Sequence, residues 1–270
     1  MVNLLYASSK YYDVIWFGVT KKKKGDTLAT MSDAVLCEGC CIYLSRPQLE
    51  DLAEWASWFN DRQITQNLGD HESKDHSPES QLRYWKDEES KGRLFAMARN
   101  SSAGLMGVLT CIPLSENNMS VSMVFPKVLP KAPFAALEAI ALFVEHVFSE
   151  FEVDRISVGQ RYPTLKSWSQ RLFLVGFQYE GLEQSGFTKG NAVDDIVRMG
   201  ITREYFNLVR LQRQGKLWPG DLEIGLLWNR LNILLKEEIR EKNLTDFFVS
   251  TINKNFEAQK ATLASIQNPT

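Results

Sequence analysis

The chain has 270 residues, of which 44% are hydrophobic and 24% are charged, and its formal net charge is -2 at pH 7. This length and apolar content suffice for one substantial core, or for one domain with an appendage. The small net charge gives no reason to expect nucleic acid as a partner, because proteins that bind nucleic acid usually present a basic surface. No run approaches the roughly 20 uninterrupted apolar residues of a spanning helix, and no signal peptide is indicated, so we expect a cytoplasmic protein without a membrane span.

Three of the four cysteines, Cys37, Cys40 and Cys41, fall in the sequence CEGCC, and the fourth is Cys111. A structural zinc site needs four ligands in most cases, and no second CxxC or HxxxH pair is present. We therefore expect no metal site. Reduced thiols are the expected state, and the alternative is a redox pair of Cys37 and Cys40.

The first part of the chain divides near residue 40. Residues 1–39 contain an apolar segment, Tyr11–Val19, that predicts a strand, followed by a lysine-rich loop, and we treat them as an N-terminal extension. Cys41–Ser45 alternates like a strand, and Gln48–Asn60 carries its apolar residues, Leu49 included, on one helical face. Ser77 followed by Pro78 predicts a helix N-cap, with the helix running to about Glu89.

The middle of the chain predicts alternating strands and helices. A hairpin of Arg93–Arg99 and Leu105–Leu114 leads to the strand Met119–Phe125. Phe134–Phe151 is apolar at helical spacing without an internal Pro or Gly, and Arg155–Val158 follows as another apolar segment.

The unit then continues with a short helix and two more strands. Pro163 is suited to the first turn of the helix and Gly176 to its end. Phe177–Glu183 and Val193–Ile201 predict an antiparallel pair joined by a turn at Ser185–Asn191.

This order of elements, together with three short motifs, resembles the GNAT superfamily of acyl-CoA-dependent N-acyltransferases. The motifs are the pair Glu138-Ala139, the sequence GFQYEG from Gly176, and the turn Trp58-Phe59-Asn60-Asp61. The branch that acetylates protein N-termini and amino sugars is the most similar. The resemblance implies an α/β (α+β) fold with a mixed, mostly antiparallel central sheet flanked by helices, formed by residues 40–206, and a C-terminal helical extension, residues 207–270.

The resemblance also implies acetyl-CoA as co-substrate and places its binding site. In the family, backbone groups of one strand hydrogen-bond the pantetheine arm, and the glycine-rich entry to the long helix holds the diphosphate. Here Lys131–Ala136 stands opposite that entry without either glycine, and Pro133 lacks an N–H donor. The residues implied to bind the cofactor are Met123, Val124, Phe125, Lys131, Ala132, Phe134, Ala135 and Thr164.

The resemblance also implies which residues take part in catalysis. Related enzymes protonate the leaving thiolate from a Tyr or Ser near the helix after Arg155–Val158, where this chain offers Tyr162 and Ser167. The family's Asn in that region is absent. Asp194 is the carboxylate expected to attract a substrate ammonium, and a role at the start of a strand is the alternative.

Two functions remain open from the sequence. One is an N-acetyltransferase acting on a small-molecule or peptide amine, such as an amino sugar, a protein N-terminus or a small amine. The other is a catalytically inactive GNAT-fold subunit with a structural or protein-binding role, suggested by the altered Lys131–Ala135 loop and the added segments. The helices from Asp221 and over Leu244–Ile266 are amphipathic, so we expect them to dock on the domain, on a second copy or in a larger assembly.

Overall fold

A computed structural model describes residues 3–5, 35–68, 76–162 and 164–239. The predicted strand Tyr11–Val19 and the predicted helix Leu244–Ile266 lie outside these described residues. In the part that is described, no helix is both long and apolar enough to cross a membrane.

The described residues form one nine-stranded sheet. Its strands are β1 (Asn3–Leu5), β2 (Val35–Glu38), β3 (Tyr43–Ser45), β4 (Leu94–Asn100), β5 (Gly104–Ser115), β6 (Asn118–Phe125), β7 (Arg155–Tyr162), β8 (Gln178–Lys189) and β9 (Ala192–Thr202). The order across the sheet is β2-β3-β4-β5-β6-β7-β9-β8, and β1 pairs with β6. Only β6 and β7 are parallel among these pairs, so the predicted mixed and mostly antiparallel sheet is confirmed.

Helices cover both faces of this sheet. They are α1 (Leu52–Asn60), α2 (Arg62–Thr65), α3 (Pro78–Ser90), α4 (Ala135–Glu150), α5 (Lys166–Leu174), α6 (Arg203–Gln212) and α7 (Asp221–Ile239). On one face α4 packs in the larger apolar cluster, which includes Met123 and Phe125 of β6. On the other face Trp55 of α1 packs in a second cluster with Val124. The alternation along β6 therefore places neighbouring residues in different cores.

Most of the predicted central elements are confirmed. The helix expected at Phe134–Phe151 spans Ala135–Glu150, and the Ser77 side chain caps α3 by accepting a 3.2 Å hydrogen bond from the amide of Ser80. Gly176 follows α5 with φ +98°, a torsion that glycine adopts without strain.

Three local predictions need correction. The turn expected at Ser185–Asn191 is shorter, because β8 continues to Lys189 through a register irregularity and the chain reverses only at Gly190. The short helix begins at Lys166 rather than next to Pro163, which lies outside the described residues. Leu49, expected on the buried face of a helix, belongs to a separate 3-10 turn and is 66% exposed.

The predicted boundaries at residues 40 and 207 do not separate the ends of the chain from the sheet and its core. Both β1 and β2, which fall within the predicted N-terminal extension, join the same sheet as the central strands. Beyond residue 207, Leu217, Trp218 and Ile224 are buried in the larger apolar cluster. The described part of the C-terminal extension therefore docks on the domain.

Candidate functional site

The parallel neighbours β6 and β7 separate along their length. Their backbone pairing covers only Asn118–Ser120 and Arg155–Ser157. Beyond it, Val121–Phe125 and Val158–Tyr162 border a space that we call the gap, closed at Ser120 and open at Phe125. Ligands in α/β proteins commonly bind where parallel strands end and helices begin, and α4 and α5 both begin beyond the open end.

The edge of β6 that faces the gap belongs to the segment predicted to hold pantetheine. On the far side of β6, Met123 and Val124 pair with β5. Facing the gap, Met123, Val124 and Phe125 pair antiparallel with Leu5, Leu4 and Asn3 of β1. The backbone surface predicted for the cofactor arm is thus present, and in this structure the chain's own N-terminal strand lies along it.

Gly107 of β5 lies very close to the segment of β6 that borders the gap. A Cβ atom added to Gly107 would lie 2.6 Å from the carbonyl oxygen of Val124 and 2.6 Å from Cδ2 of Phe125. Only a residue without a side chain fits there, so Gly107 allows the Phe125 ring to pack over β5. Phe125 is consequently 3% exposed and belongs to the core rather than to the gap.

The segment predicted for the diphosphate forms a tight entry to α4. The amide of Ala132 donates to Leu129 O at 3.0 Å, and the amide of Ala135 donates to Ala132 O at 3.1 Å. Lys131 is exposed, and Phe134 occupies the N-cap position without a side-chain cap. The Phe134 ring points toward α7, since a Cβ added to Gly225 would lie 3.9 Å from its Cε2.

One turn further along α4, Glu138 holds the CEGCC loop. Glu138 is 0% exposed although it carries a carboxyl group. Its carboxylate accepts hydrogen bonds from the amides of Cys40 and Cys41, and the Cys41 thiol donates to it at 2.7 Å. Gly39 leaves space for this carboxylate, since an added Cβ would clash with Glu138 and Leu142.

The thiols of this loop are held protonated. Burial, followed by the hydrogen bond to Glu138, raises the pKa of Cys41, and burial raises that of Cys37 to about 12. All four cysteines are free. Within the described ranges no cluster of three or more His, Cys, Asp and Glu side chains could hold a metal ion.

The residues predicted to donate a proton come from the end of β7 and the start of α5. The register that pairs Asn118 with Arg155 has an offset of 37 residues, so its continuation would place Tyr162 across from Phe125. Tyr162 is half-buried, and burial followed by the charge of Asp195 raises the pKa of its phenol. Ser167 and Thr164 are exposed at the entry to α5. The extended register therefore sets Tyr162 at the open end of the gap, and Thr164 and Ser167 follow it in the chain.

Asp194 is engaged by a cation. Its carboxylate accepts from Nε of Arg161 at 2.6 Å, and the same guanidinium donates to the carbonyl oxygen of Gln66 at 3.0 Å. Arg161 also stacks over the ring of Phe187 at 4.4 Å. These contacts occupy the carboxylate, so they favour a structural role for Asp194 in tying β7 and β9 to the α2 turn.

On the α1 face of the sheet, a cavity of about 30 Å³ reaches the backbone of β6. Trp55, Phe59 and Tyr84 line it from the helices, and Thr110 and Ser122 line it from β5 and β6. The two hydroxyl oxygens lie 2.6 Å apart. No carboxylate is found among the described residues that line it.

The hydroxyl pair is the feature of the site that sequence reasoning missed. Ser122 lies two positions beyond Ser120, so it stands near the closed end of the gap. Thr110 and Ser122 are register partners on adjacent strands. The only indication in the sequence was a hydroxyl residue in each of two mainly apolar strands. It becomes informative only once the register shows that the two residues are partners.

A buried amide marks the β7 side of the gap. Gln160 is 0% exposed, and its Nε2 donates to the carbonyl oxygen of Gly159 at 2.8 Å. Its Oε1 has no hydrogen-bond partner among the described residues. A buried acceptor without a donor is costly, so this oxygen is suited to a ligand N–H or a water molecule.

Comparison with known proteins gives a fold but no sequence family. No protein-family model and no curated relative matches the sequence.

Solved structures do match. A spermidine N-acetyltransferase from Vibrio cholerae, solved with CoA and spermine, is 15% identical with a TM-score of 0.53, and the match covers 62% of this chain and 98% of that one. A GNAT-family acetyltransferase from Bacillus anthracis is 16% identical over the same shares, with a TM-score of 0.52. RimJ from Mycobacterium smegmatis, solved with CoA-disulfide, is 18% identical over 63% of this chain and 88% of its own, with a TM-score of 0.51. The chain therefore has the fold of the GNAT acetyltransferases.

Proposed function

We propose that this protein is an acyl-CoA-dependent N-acetyltransferase that transfers an acetyl group from acetyl-CoA to a primary amine. The observation that carries the proposal is the gap between β6 and β7, which opens after Ser120 and Ser157. The helices α4 and α5 begin in the segments that follow these two strands. The similar structures from Vibrio cholerae and Mycobacterium smegmatis were solved with CoA and with CoA-disulfide. Their likeness supports acetyl-CoA as the co-substrate of this chain.

The cofactor would lie along the gap with its diphosphate at the open end. The α4 entry offers the partial positive charge of a helix N-terminus, and Lys131 adds an exposed cation beside it. The pantetheine arm would use the edge of Met123–Phe125, where hydrogen bonds come from the backbone and do not depend on the side chains. The thioester would then reach toward the closed end, near Ser122.

Transfer requires a neutral amine, a stabilised oxyanion and a proton for the leaving thiolate. The amine nitrogen attacks the thioester carbonyl, and the C–S bond breaks as the C–N bond becomes an amide. A backbone N–H of β6 is the donor for the oxyanion. We assign to the Ser122 hydroxyl, which is bonded to Thr110, the transfer of the proton lost by the amine to the thiolate sulfur.

Tyr162 and Ser167 then have a different role from the one the resemblance implies. The register extended along β7 supports a position for Tyr162 beside the expected diphosphate rather than beside the thioester, and we assign Ser167, just beyond it in α5, to the same end. Their hydroxyl groups, with that of Thr164, are suited to donate hydrogen bonds to phosphate oxygens. The raised pKa of Tyr162 keeps its phenol a donor at neutral pH.

The acceptor would approach from the α1 face, where the aromatic cavity of about 30 Å³ holds about one water molecule and would have to widen to admit an amine. Because Arg93 lines this cavity and no described carboxylate does, the lining offers no electrostatic attraction for a polycation. A monoamine, an amino sugar or a peptide N-terminus fits the lining better than the spermine bound by the Vibrio cholerae enzyme. The four free thiols support a reducing, cytoplasmic setting.

The test is product formation by the full chain. Acetyl-CoA is supplied with a peptide, an amino sugar, a simple monoamine or spermidine, and the acetylated product is measured by mass spectrometry. Replacing Ser122 with Ala should lower kcat by about a hundredfold, the lower range for a group that transfers a proton. Ser115→Ala, at an exposed site on β5, is the matched control. Absence of product from every amine would refute the proposal.

A second function is favoured because segments of the chain itself cover part of the proposed cofactor site. With β1 along the β6 edge and Phe134 directed toward α7, the chain itself covers two parts of the expected cofactor surface. This supports a GNAT-fold subunit with a structural or binding role. Calorimetry with acetyl-CoA separates the two, using the wild type and a variant with Ala132→Gly and Phe134→Gly. Binding by the wild type favours the enzyme, whereas binding only by the variant favours the subunit.

Assembly through the C-terminal helices is a further part of the proposal. Leu222 is 81% exposed and Leu226 is 54% exposed on α7, although the same helix buries Ile224 in the core. Apolar side chains exposed next to one another on a helix are suited to contact a second copy or a larger protein assembly.

A further inference from the structure

The gap edge of β6 is a surface that binds an extended backbone. Because successive residues of a strand direct their backbone groups to opposite sides, only part of Met123–Phe125 can bond to β5, and the remainder faces the gap. Those remaining groups are where β1 pairs, in the register Asn3 with Phe125 and Leu5 with Met123. β1 also comes within 8 Å of β7, Cα to Cα, so it lies between the two parallel strands.

We propose that the segment Asn3–Leu5 is an intramolecular competitor of acyl-CoA for the gap edge of β6. The inference rests on the proposed function, since the competitor and the pantetheine arm are assigned the same backbone groups. Neighbouring strands lie about 4.7–4.9 Å apart. An arm that bonds to the same edge must take the place of β1, so the two cannot be bound together.

The length of β1 makes this competition reversible. It has three residues, whereas strands usually have about five or six, so it contributes few hydrogen bonds. Residues 6–34 connect it to β2, which is four strands away from β6 in the sheet. At about 3.3 Å per residue, this connection is long enough for β1 to leave the gap without disturbing β2.

The connection also explains how so short a strand competes at all. A tethered segment meets its site at an effective concentration on the order of millimolar. The apparent dissociation constant of acyl-CoA is the intrinsic constant divided by the fraction of molecules with an open gap. The segment would therefore raise the acyl-CoA concentration needed for activity without changing the chemistry at the closed end.

The experiment compares three forms of the full chain. Leu4→Pro with Leu5→Pro removes the N–H groups of two successive residues, one of which must face β6. Ser8→Pro with Ser9→Pro places the same change outside β1 and is the matched control. Hydrogen exchange of the gap-facing amides of Met123–Phe125 reports whether β1 is bound, and calorimetry with acetyl-CoA reports the affinity.

We expect the Leu4→Pro, Leu5→Pro form to lose exchange protection at the gap-facing amides of Met123–Phe125 and to bind acetyl-CoA at least about tenfold more tightly than the wild type. The control form should match the wild type in both measurements. A second design locks the strand, with Leu4→Cys and Val124→Cys placed at directly opposite positions. Its oxidised form should not bind acetyl-CoA, and reduction should restore binding.

Different failures are distinguishable. Equal affinity of the wild type and the Leu4→Pro, Leu5→Pro form overturns the competition and leaves the proposed function intact. If the oxidised, locked form binds as well as the reduced form, the assigned edge is also wrong. If no form binds acetyl-CoA although all are folded by circular dichroism, the proposed function fails and the competition fails with it.

Discussion

Replacing Glu138 with Ala tests the buried carboxylate that joins α4 to the CEGCC loop. The carboxylate is 0% exposed and accepts from two backbone amides and one thiol. A hydrogen bond to a charged group contributes about 1.5–3 kcal/mol, and a buried donor left unpaired costs about 1–3 kcal/mol. Water can reach the amide of exposed Cys40 but less easily that of Cys41. We therefore expect Glu138→Ala to lower the free energy of unfolding by about 3 kcal/mol.

Urea unfolding followed by tryptophan fluorescence measures this loss. Glu138→Gln should lose only about 1 kcal/mol, because its amide oxygen can still accept one hydrogen bond. Glu152→Ala, at an exposed site after α4, should stay within about 0.5 kcal/mol of the wild type. The reasoning is refuted if Glu138→Ala is as stable as Glu152→Ala, since the carboxylate would then not hold the loop.

Three further predictions concern charges and thiols. Arg161→Gln should lower the free energy of unfolding by about 2–3 kcal/mol, because it leaves the half-buried carboxylate of Asp194 without its cation. Burial raises the pKa of Glu145 above its ordinary value of 4.5, so its contribution to stability is complete below pH 4.5 and is lost as the pH rises through the raised value. The stability of the wild type relative to Glu145→Gln should therefore fall from pH 4.5 toward neutrality. With a thiol reagent, exposed Cys40 should react first, and buried Cys111 should react only after unfolding.

For each of these three predictions, one experimental result would contradict it. Arg161→Gln with unchanged urea unfolding would show that the ion pair with Asp194 contributes nothing to stability. A constant difference between Glu145→Gln and the wild type across the pH range would mean that the carboxyl is not buried in solution. Early labelling of Cys111, located by peptide mass spectrometry, would contradict its placement in the core.

Local patterns predicted the central elements well, because their causes are local. α4 follows from an unbroken apolar run of helical spacing, and its observed range differs from the expected one by a single residue at each end. The start of α3 follows from the Ser77 cap and Pro78. The turn between β8 and β9 was placed too early, because a register irregularity after Glu183 lets the strand continue.

The candidate site was only partly predictable, because its contacts join distant parts of the chain. Nothing in the segment around Asn3 indicates that it will pair with Phe125, more than a hundred residues away. The same holds for Glu138, whose partners lie 97 and 98 residues earlier. A carboxylate is predicted to face solvent unless its partners are known, since burying it alone is costly.

The resemblance indicated which segments of the chain form the site, but not where each residue lies between the open and the closed end of the gap. It indicated the β6 edge, the α4 entry and the α5 turn; in the structure β6 and β7 separate beyond Ser120 and Ser157, and α4 and α5 follow these strands in the chain. It also implied Tyr162 and Ser167 as proton donors, which remains a prediction, and the register extended along β7 sets Tyr162 at the open end. The Thr110 and Ser122 pair, nearer the closed end, became visible only through the pairing of β5 with β6.

The central claim is that the gap between β6 and β7 holds acetyl-CoA. The most direct measurement is a crystal structure of the Leu4→Pro, Leu5→Pro form grown with acetyl-CoA. We predict electron density for the pantetheine arm along Met123–Phe125, with the diphosphate at the α4 entry and the thioester near Ser122. Acetyl-CoA bound elsewhere, or an empty gap at saturating acetyl-CoA, would contradict the account.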